Sequence, residues 1–239
     1  MRPLAILFAA ALVLAAQSKD GPQPRAVTPP AAPGQPPSDA TVLFNGKDMT
    51  GWRTRDGGPG RCNVQNGEMS CPTGVGDILT ETVFGDAQIH IEFAVPNMPN
   101  QKGQLKGNSG VYLHSCYELQ ILDGIDNPTY ANGAIGALYG FSAPLVNAAR
   151  PSEQWQAYDI VFRAPRCDAG GNLTAPGSAT VMLNGVLVLD HVQIDKKGPG
   201  CQAKSICERG PLRLQDHSGF KDAPHTVMKF RNIWLRNLE

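Results

Sequence analysis

The stretch Gln88-Ile89-His90-Ile91-Glu92-Phe93-Ala94-Val95 decides the fold class. Ile89, Ile91, Phe93 and Val95 fall on one face, and Gln88, His90 and Glu92 on the other. An apolar period of two is that of a strand with one buried face, because successive side chains point to opposite sides of the sheet. The same pattern recurs outward along the chain. Ser109 to Ser115 and Tyr117 to Leu122 form a longer β region, and Trp155 to Phe162 forms another strand. Thr180 to Leu183 and Val186 to Leu189 flank Asn184-Gly185, a two-residue hairpin signal. Leu212 to Gln215 and Val227 to Leu235 complete the set. No window beyond the N-terminal segment holds a helical period. The 239 residues include 26 Gly and 20 Pro, a density that interrupts helices and punctuates short strands. These observations predict an all-β fold, a jelly-roll sandwich of two antiparallel sheets with a concave groove.

Charge narrows the partners. Lys and Arg number 21, Asp and Glu 21, and the formal net charge is zero. Without a basic excess there is little to neutralise a phosphate backbone, so nucleic acid is not an expected partner.

The N-terminus reads as a leader. Arg2 precedes the apolar run Leu4 to Ala16, and small residues follow. The run falls short of the roughly 20 residues that span a bilayer, so an integral membrane protein is not expected. Gln17 rather than Cys follows Ala16, which speaks against a lipid anchor. We therefore divide the chain into a signal peptide (1–16), a proline-rich linker expected to be unpacked (17–39) and one jelly-roll domain (40–239). The protein is expected to be exported, to the periplasm or beyond, with its oligomeric state open.

Six cysteines agree with an oxidising compartment: Cys62, Cys71, Cys116, Cys167, Cys201 and Cys207. No spacing suggests a zinc site. Asn66-Gly67 is a hairpin turn, and counting outward from it sets Cys62 opposite Cys71 at a non-hydrogen-bonded pair, where the backbones lie close enough for a disulfide. Cys201 and Cys207 are expected to staple one loop. Cys116 and Cys167 are left either to pair or, for Cys116, to remain a buried thiol.

The chemistry concentrates between Gly107 and Asp123. By period two, Tyr112, His114, Cys116, Glu118 and Gln120 share one face, opposite Val111, Leu113, Tyr117, Leu119 and Ile121. A core face backed by a row of hydrogen-bonding groups suits a groove that binds sugar hydroxyls. Asp123 would join Glu118 and Gln120 if a bulge re-aimed it. The spacing echoes the Glu-x-Asp-x-x-Glu strand motif of laminarinase-type glycosidases, with Gln120 in place of the middle acid.

A wider resemblance covers residues 41 to 239. Leu43-Phe44-Asn45-Gly46-Lys47-Asp48 with Gly51-Trp52, Gly107-Asn108-Ser109-Gly110-Val111-Tyr112, Tyr117 to Asp123, Gly136-Ala137-Leu138-Tyr139, Glu153-Gln154-Trp155 and Gly210 to His217 follow in order. Phe230-Arg231-Asn232-Ile233 ends the series. In these blocks the chain resembles the bacterial 3-keto-disaccharide hydrolase family. Gln156 and Arg150 stand where that family more often has Asn and Lys, and the Lys196 to Arg209 loop and the cysteines look like additions that reshape the groove rim. The resemblance implies a concanavalin-like jelly roll and cleavage of glycosides already oxidised at C3. A C3 ketone acidifies the C2 proton, a base removes it, the C1 substituent leaves, and water adds.

The resemblance implies Glu118 as the main acid/base and Asp123 as a second carboxylate or a hydrogen-bond anchor; His217, on the same strand face as Gln215, is a second acid/base candidate. The resemblance makes Gln120 a substrate contact; Tyr112 on the same polar face and Gln215 are further substrate contacts, and Asn108 either reaches substrate or serves the turn it adjoins. His114 is either a further polar contact or a structural histidine. Arg231 would neutralise the enolate or pair a carboxylate. Trp52 and Tyr139 are sugar platforms or core aromatics. No motif demands a cofactor. A divalent ion holding the enolate would suit the chemistry, and Asp123-Gly124-Ile125-Asp126-Asn127 only faintly resembles a calcium loop. The competing readings are a non-catalytic carbohydrate-binding module and an ordinary glycosidase.

Overall fold

The structure is a computed structural model that describes residues 25–219 and 222–239. The expected leader and residues 17–24 of the linker lie outside the described residues.

The elements run β1 (Thr41–Val42), β2 (Trp52–Thr54), β3 (Asn63–Gln65), β4 (Glu68–Pro72), β5 (Ile78–Phe84), β6 (Ala87–Ala94), β7 (Ser109–Leu113) and β8 (Tyr117–Ile121). They continue as β9 (Gln156–Arg163), β10 (Arg166–Cys167), β11 (Leu173–Ala175), β12 (Gly177–Leu183), β13 (Val186–Ile194), β14 (Gly210–Leu214) and β15 (Val227–Asn237). Two antiparallel sheets make a jelly-roll sandwich. The larger has the order β13-β12-β9-β6-β15-β4-β3, with β1 added against β15; the smaller is β2-β5-β14-β7-β8. A separate ribbon joins β10 to β11.

The opening stretch behaves as its period demands. Ile89, Ile91 and Phe93 are fully buried and meet Val111, Leu113, Tyr117 and Leu119 of the smaller sheet in one core. Each such side chain contributes about 1.5–3 kcal/mol on burial. The opposite face differs from a solvated one. His90 is buried too, because residues ahead of β1 lie across it: the carbonyl of Gly34 accepts a bond from Trp234 Nε1 at 2.9 Å, and Asp39 pairs with Arg236 at 2.7 Å. Residues 25–39 hold no regular element, yet they pack on the larger sheet, so the expectation of an unpacked linker is corrected over that range.

Both predicted hairpin turns form. Asn66 and Gly67 have φ of 55° and 80°, and Asn184 and Gly185 have 54° and 82°, the left-handed pair that such a turn requires. The first turn sets Asn63 against Ser70 and closes the Cys62–Cys71 disulfide. The remaining pairing is corrected. Cys201 and Cys207 do not bond to each other; Cys116 bonds to Cys201, and Cys167 to Cys207. The loop between β13 and β14 is thus pinned at two points to different parts of the sandwich, rather than stapled to itself. Among the described residues no helix is long and apolar enough to cross a membrane.

Candidate active site

The polar segment folds as a hairpin rather than as one continuous strand. His114 and Ser115 take φ of 52° and 53° and turn the chain between β7 and β8. Tyr112 then faces Glu118, and Gly110 faces Gln120. Cross-strand partners share a face, so Tyr112, Glu118 and Gln120 project together as expected. His114 does not. At the turn its ring enters the core between Phe84 and Phe162, with ring centroids 4.8 Å from each. Burial pushes its pKa down to about 4, and it is a structural histidine.

A groove of about 970 Å3 crosses the outer face of the smaller sheet. Its floor follows the strand order. Tyr139 stands outside β8, carried by a segment whose amide bonds to the carbonyl of Glu118 at 2.9 Å. Then come Glu118 on β8, Tyr112 on β7 and Arg213 on β14, with Asp77 just before β5 and Arg55 just after β2 at the far edge.

Glu118 is only 5% exposed at this floor. Its Oε2 accepts a bond from Tyr112 Oη at 2.7 Å. Burial raises its pKa to about 7, against the opposing pull of the Tyr112 bond and the Arg213 charge. Gly110 makes room for the carboxyl group: a Cβ there would stand 2.9 Å from both Cγ and Cδ of Glu118. Tyr112 is fixed from both sides. The Arg213 guanidinium lies 3.5 Å from its ring centroid, and Gln215 Nε2 donates to its hydroxyl at 3.3 Å. Arg213 is held by Asp77 at 2.8 Å and by the Gly200 carbonyl at 3.0 Å.

Toward the open end of the hairpin, Gln120 Nε2 donates to Asn108 Oδ1 at 2.8 Å, and Asn108 Nδ2 donates to the Gln104 carbonyl at 2.8 Å. Tyr130 Oη donates to Tyr139 Oη at 3.2 Å, which sets two tyrosines at the groove mouth. His217 lies on the wall in a short 3-10 turn, and burial lowers its pKa. Gln215 lines the same wall, with its Oε1 buried and unpaired.

Four expected site residues lie elsewhere. The chain leaves the sheet after Ile121, so no bulge brings Asp123 to Glu118. Asp123 is buried against Lys106 Nζ at 3.2 Å and accepts the Ile125 amide. Trp52 is a core residue whose Nε1 donates to the Leu43 carbonyl. Arg231 sits on the larger sheet, bonded to Glu92 at 2.6 Å and stacked 4.1 Å from the Trp155 ring centroid. His114 is the fourth. Trp155 is only half-buried beneath that arginine. The sequence reading missed Arg213, Asp77, Tyr130 and Arg55. Arg213 was within reach, since Leu212 and Leu214 face the core and period two turns Arg213 to the groove.

Among the described residues no three His, Cys, Asp or Glu side chains converge as cation ligands. The groove carboxylates are dispersed. Asp77 is bound to Arg213, and Asp216 accepts the amides of Gly74 and Gly76 at 2.7 Å each. This donor set does not fit a divalent ion.

A sequence model described as a 3-keto-alpha-glucoside-1,2-lyase-like domain matches residues 39–236. A crystal structure of a candidate glycosyl hydrolase from Parabacteroides distasonis is 38% identical, with a TM-score of 0.82, covering 91% of this chain and 93% of that one. A second candidate glycosyl hydrolase from the same organism is 20% identical, with a TM-score of 0.61, over 84% of this chain and 94% of the other. Comparison with curated proteins gives no match.

Proposed function

Since the chain belongs to the 3-keto-alpha-glucoside-1,2-lyase-like family, we propose that it cleaves 3-keto-glycosides by elimination at C1–C2 followed by hydration, with Glu118 as the proton carrier. The observation that carries the reading is Glu118 itself: a groove carboxylate 5% exposed, held by the Tyr112 hydroxyl at 2.7 Å, whose pKa burial raises to about 7. A carboxyl group whose pKa burial raises toward neutrality can both take up and return a proton near neutral pH.

The steps use that property. The C3 ketone acidifies the C2 proton, and the Glu118 carboxylate removes it. The electron pair moves onto the C3 oxygen as an enolate. His217, kept neutral by its lowered pKa, supplies an N–H suited to holding that oxygen. When the enolate collapses, a C1=C2 bond forms and the C1–O bond breaks. Protonated Glu118 returns its proton to the departing oxygen. Hydration reverses the order: Glu118 takes a proton from water, the hydroxide adds to C1, and C2 regains a proton. Tyr112 holds the carboxyl group in place, and Gln120, Asn108 and Gln215 line the sugar. Asp123, His114, Trp52 and Arg231 carry no step.

Ordinary glycoside hydrolysis needs two carboxyl groups flanking the bond, one acting on the leaving oxygen and the other on C1 or water. The other two groove carboxylates, Asp77 and Asp216, are committed to Arg213 and to backbone amides, which weighs against that route. The three disulfides suit an oxidising compartment, and we place the protein outside the cytoplasm.

The test is cleavage of a 3-keto-disaccharide beside its unoxidised parent, in D2O, with and without chelator. The reading expects cleavage of the keto form alone, deuterium at C2 of the released sugar, no effect of chelator, and no turnover by Glu118→Gln. Cleavage without C2 deuterium would overturn the elimination. Sugar binding without any cleavage would leave a binding module.

A further inference from the structure

The far end of the groove differs in character from the end that holds Glu118. Across the sheet from β8 to β2 there are four inter-strand steps, about 19 Å, longer than one sugar ring. Glu118 and the two tyrosines lie at the β8 edge, so a ring whose C2 meets Glu118 occupies that edge. The remainder of the substrate then runs over Tyr112 and Arg213 toward Asp77 and Arg55.

At that end the groove opens into a second depression of about 410 Å3. The two share Arg55 and Gln202, and the second adds Arg53, Arg209 and Glu208. The charges do not cancel. Asp77 is neutralised by Arg213, and Arg209 pairs with Glu239 at 2.8 Å. Glu208 accepts the Lys204 amide at 2.6 Å. Arg53 makes one long bond, 3.4 Å, to the Thr54 carbonyl. Among the described residues neither Arg53 nor Arg55 has a carboxylate partner within ion-pair distance. Two adjacent strand-end guanidiniums are therefore left facing the continuation of a sugar groove. A guanidinium fork matches a carboxylate in shape and charge.

We propose that this end of the groove is an anion subsite in which Arg55, with Arg53 beside it, receives a carboxylate on the leaving group, so that the preferred substrates carry a uronate as aglycone. The proposal rests on the reading of Glu118 as the proton carrier only for the direction in which the substrate lies.

Binding and chemistry separate the two claims. The binding assay uses unoxidised disaccharides, glucosyl-glucuronate and its neutral glucosyl-glucose counterpart, measured by calorimetry. Exposed ion pairs of this kind support a preference of roughly fivefold for the uronate, and high salt abolishes it. Arg55→Gln brings the ratio of the two affinities to near one, and Arg55→Lys keeps part of it. Equal binding by the unaltered protein, or a ratio that survives Arg55→Gln, overturns the subsite. If the ratio behaves as expected but neither 3-keto form is cleaved, the lyase reading fails and the subsite stands. If the keto forms are cleaved while the two ligands bind equally, the subsite fails and the lyase reading stands.

Discussion

Replacing Glu118 by Gln should stabilise the fold at alkaline pH relative to acid pH, and the amount follows from its surroundings. The carboxyl group is 5% exposed, and burial lifts its pKa from the ordinary 4.5 to about 7. A raised carboxyl pKa means that the folded state binds the proton more tightly than the unfolded chain. The contribution is fully favourable below about pH 4.5 and is lost as pH rises through 7. At about 1.36 kcal/mol per pH unit, the interval between 4.5 and about 7 amounts to about 3 kcal/mol. Glutamine keeps an oxygen to accept the Tyr112 bond but does not titrate. Other shifted groups change stability with pH as well: His90 is raised to about 9 and His114 lowered to about 4. They act alike in both proteins, so the difference between variant and parent isolates Glu118. Urea unfolding of both at about pH 4 and about pH 8.5 should show the variant gaining about 3 kcal/mol relative to the parent between the two. A difference that does not change with pH would mean that the carboxyl group titrates normally, and Glu118 would lose the property that makes it a two-way proton carrier.

Two further outcomes follow from the same contacts. Gly110→Ala puts a methyl group 2.9 Å from the Glu118 Cδ, so the carboxyl group must move. We expect a loss of about 1–3 kcal/mol in stability and a fall in kcat larger than any change in KM, and unaltered kinetics would show that the carboxyl position is not critical. Replacing Cys116 and Cys201 together by Ser releases a cross-link across 85 residues, worth about 4 kcal/mol through the unfolded chain. It should also weaken substrate binding, because Gly200, Cys201 and Gln202 line the groove. Thermal melting and KM check the two effects separately.

The parts of the fold legible in the sequence are those set by local rules. Period two places Ile89, Ile91 and Phe93 inside, and Asn66-Gly67 fixes a register that alone brings Cys62 to Cys71. The turn at His114 and Ser115 gave no comparable signal, because no Gly or Asn marks it and the flanking residues read as one continuous strand. Its three-residue loop nevertheless keeps Tyr112 and Glu118 in phase, so the polar face is right while His114 is not. The bond between Cys116 and Cys201 depends on where a distant loop settles, and no spacing encodes that. Asp123 fails for a similar reason. Its direction is decided by Lys106, which comes from the segment leading into β7. The burial of His90 depends on residues 25–39 folding back, which their proline-rich composition gives no cause to expect.

The loop between β13 and β14 and Glu118 belong to one connected structure. The loop between β13 and β14 is tied by Cys116–Cys201 to the hairpin that bears Glu118 and by Cys167–Cys207 to the ribbon beyond β9. From that loop the Gly200 carbonyl accepts Arg213, Arg213 covers the Tyr112 ring, and Tyr112 holds Glu118. Each contact is individually modest, yet together they exclude water from one side of the carboxyl group, and exclusion of water is what raises its pKa. A loop free to open would let water in and return Glu118 toward an ordinary carboxylate, too weak a base to share a proton with C2 of a keto sugar at neutral pH. On the proposed chemistry, the disulfides act through the solvation of Glu118 as well as on the fold through chain entropy.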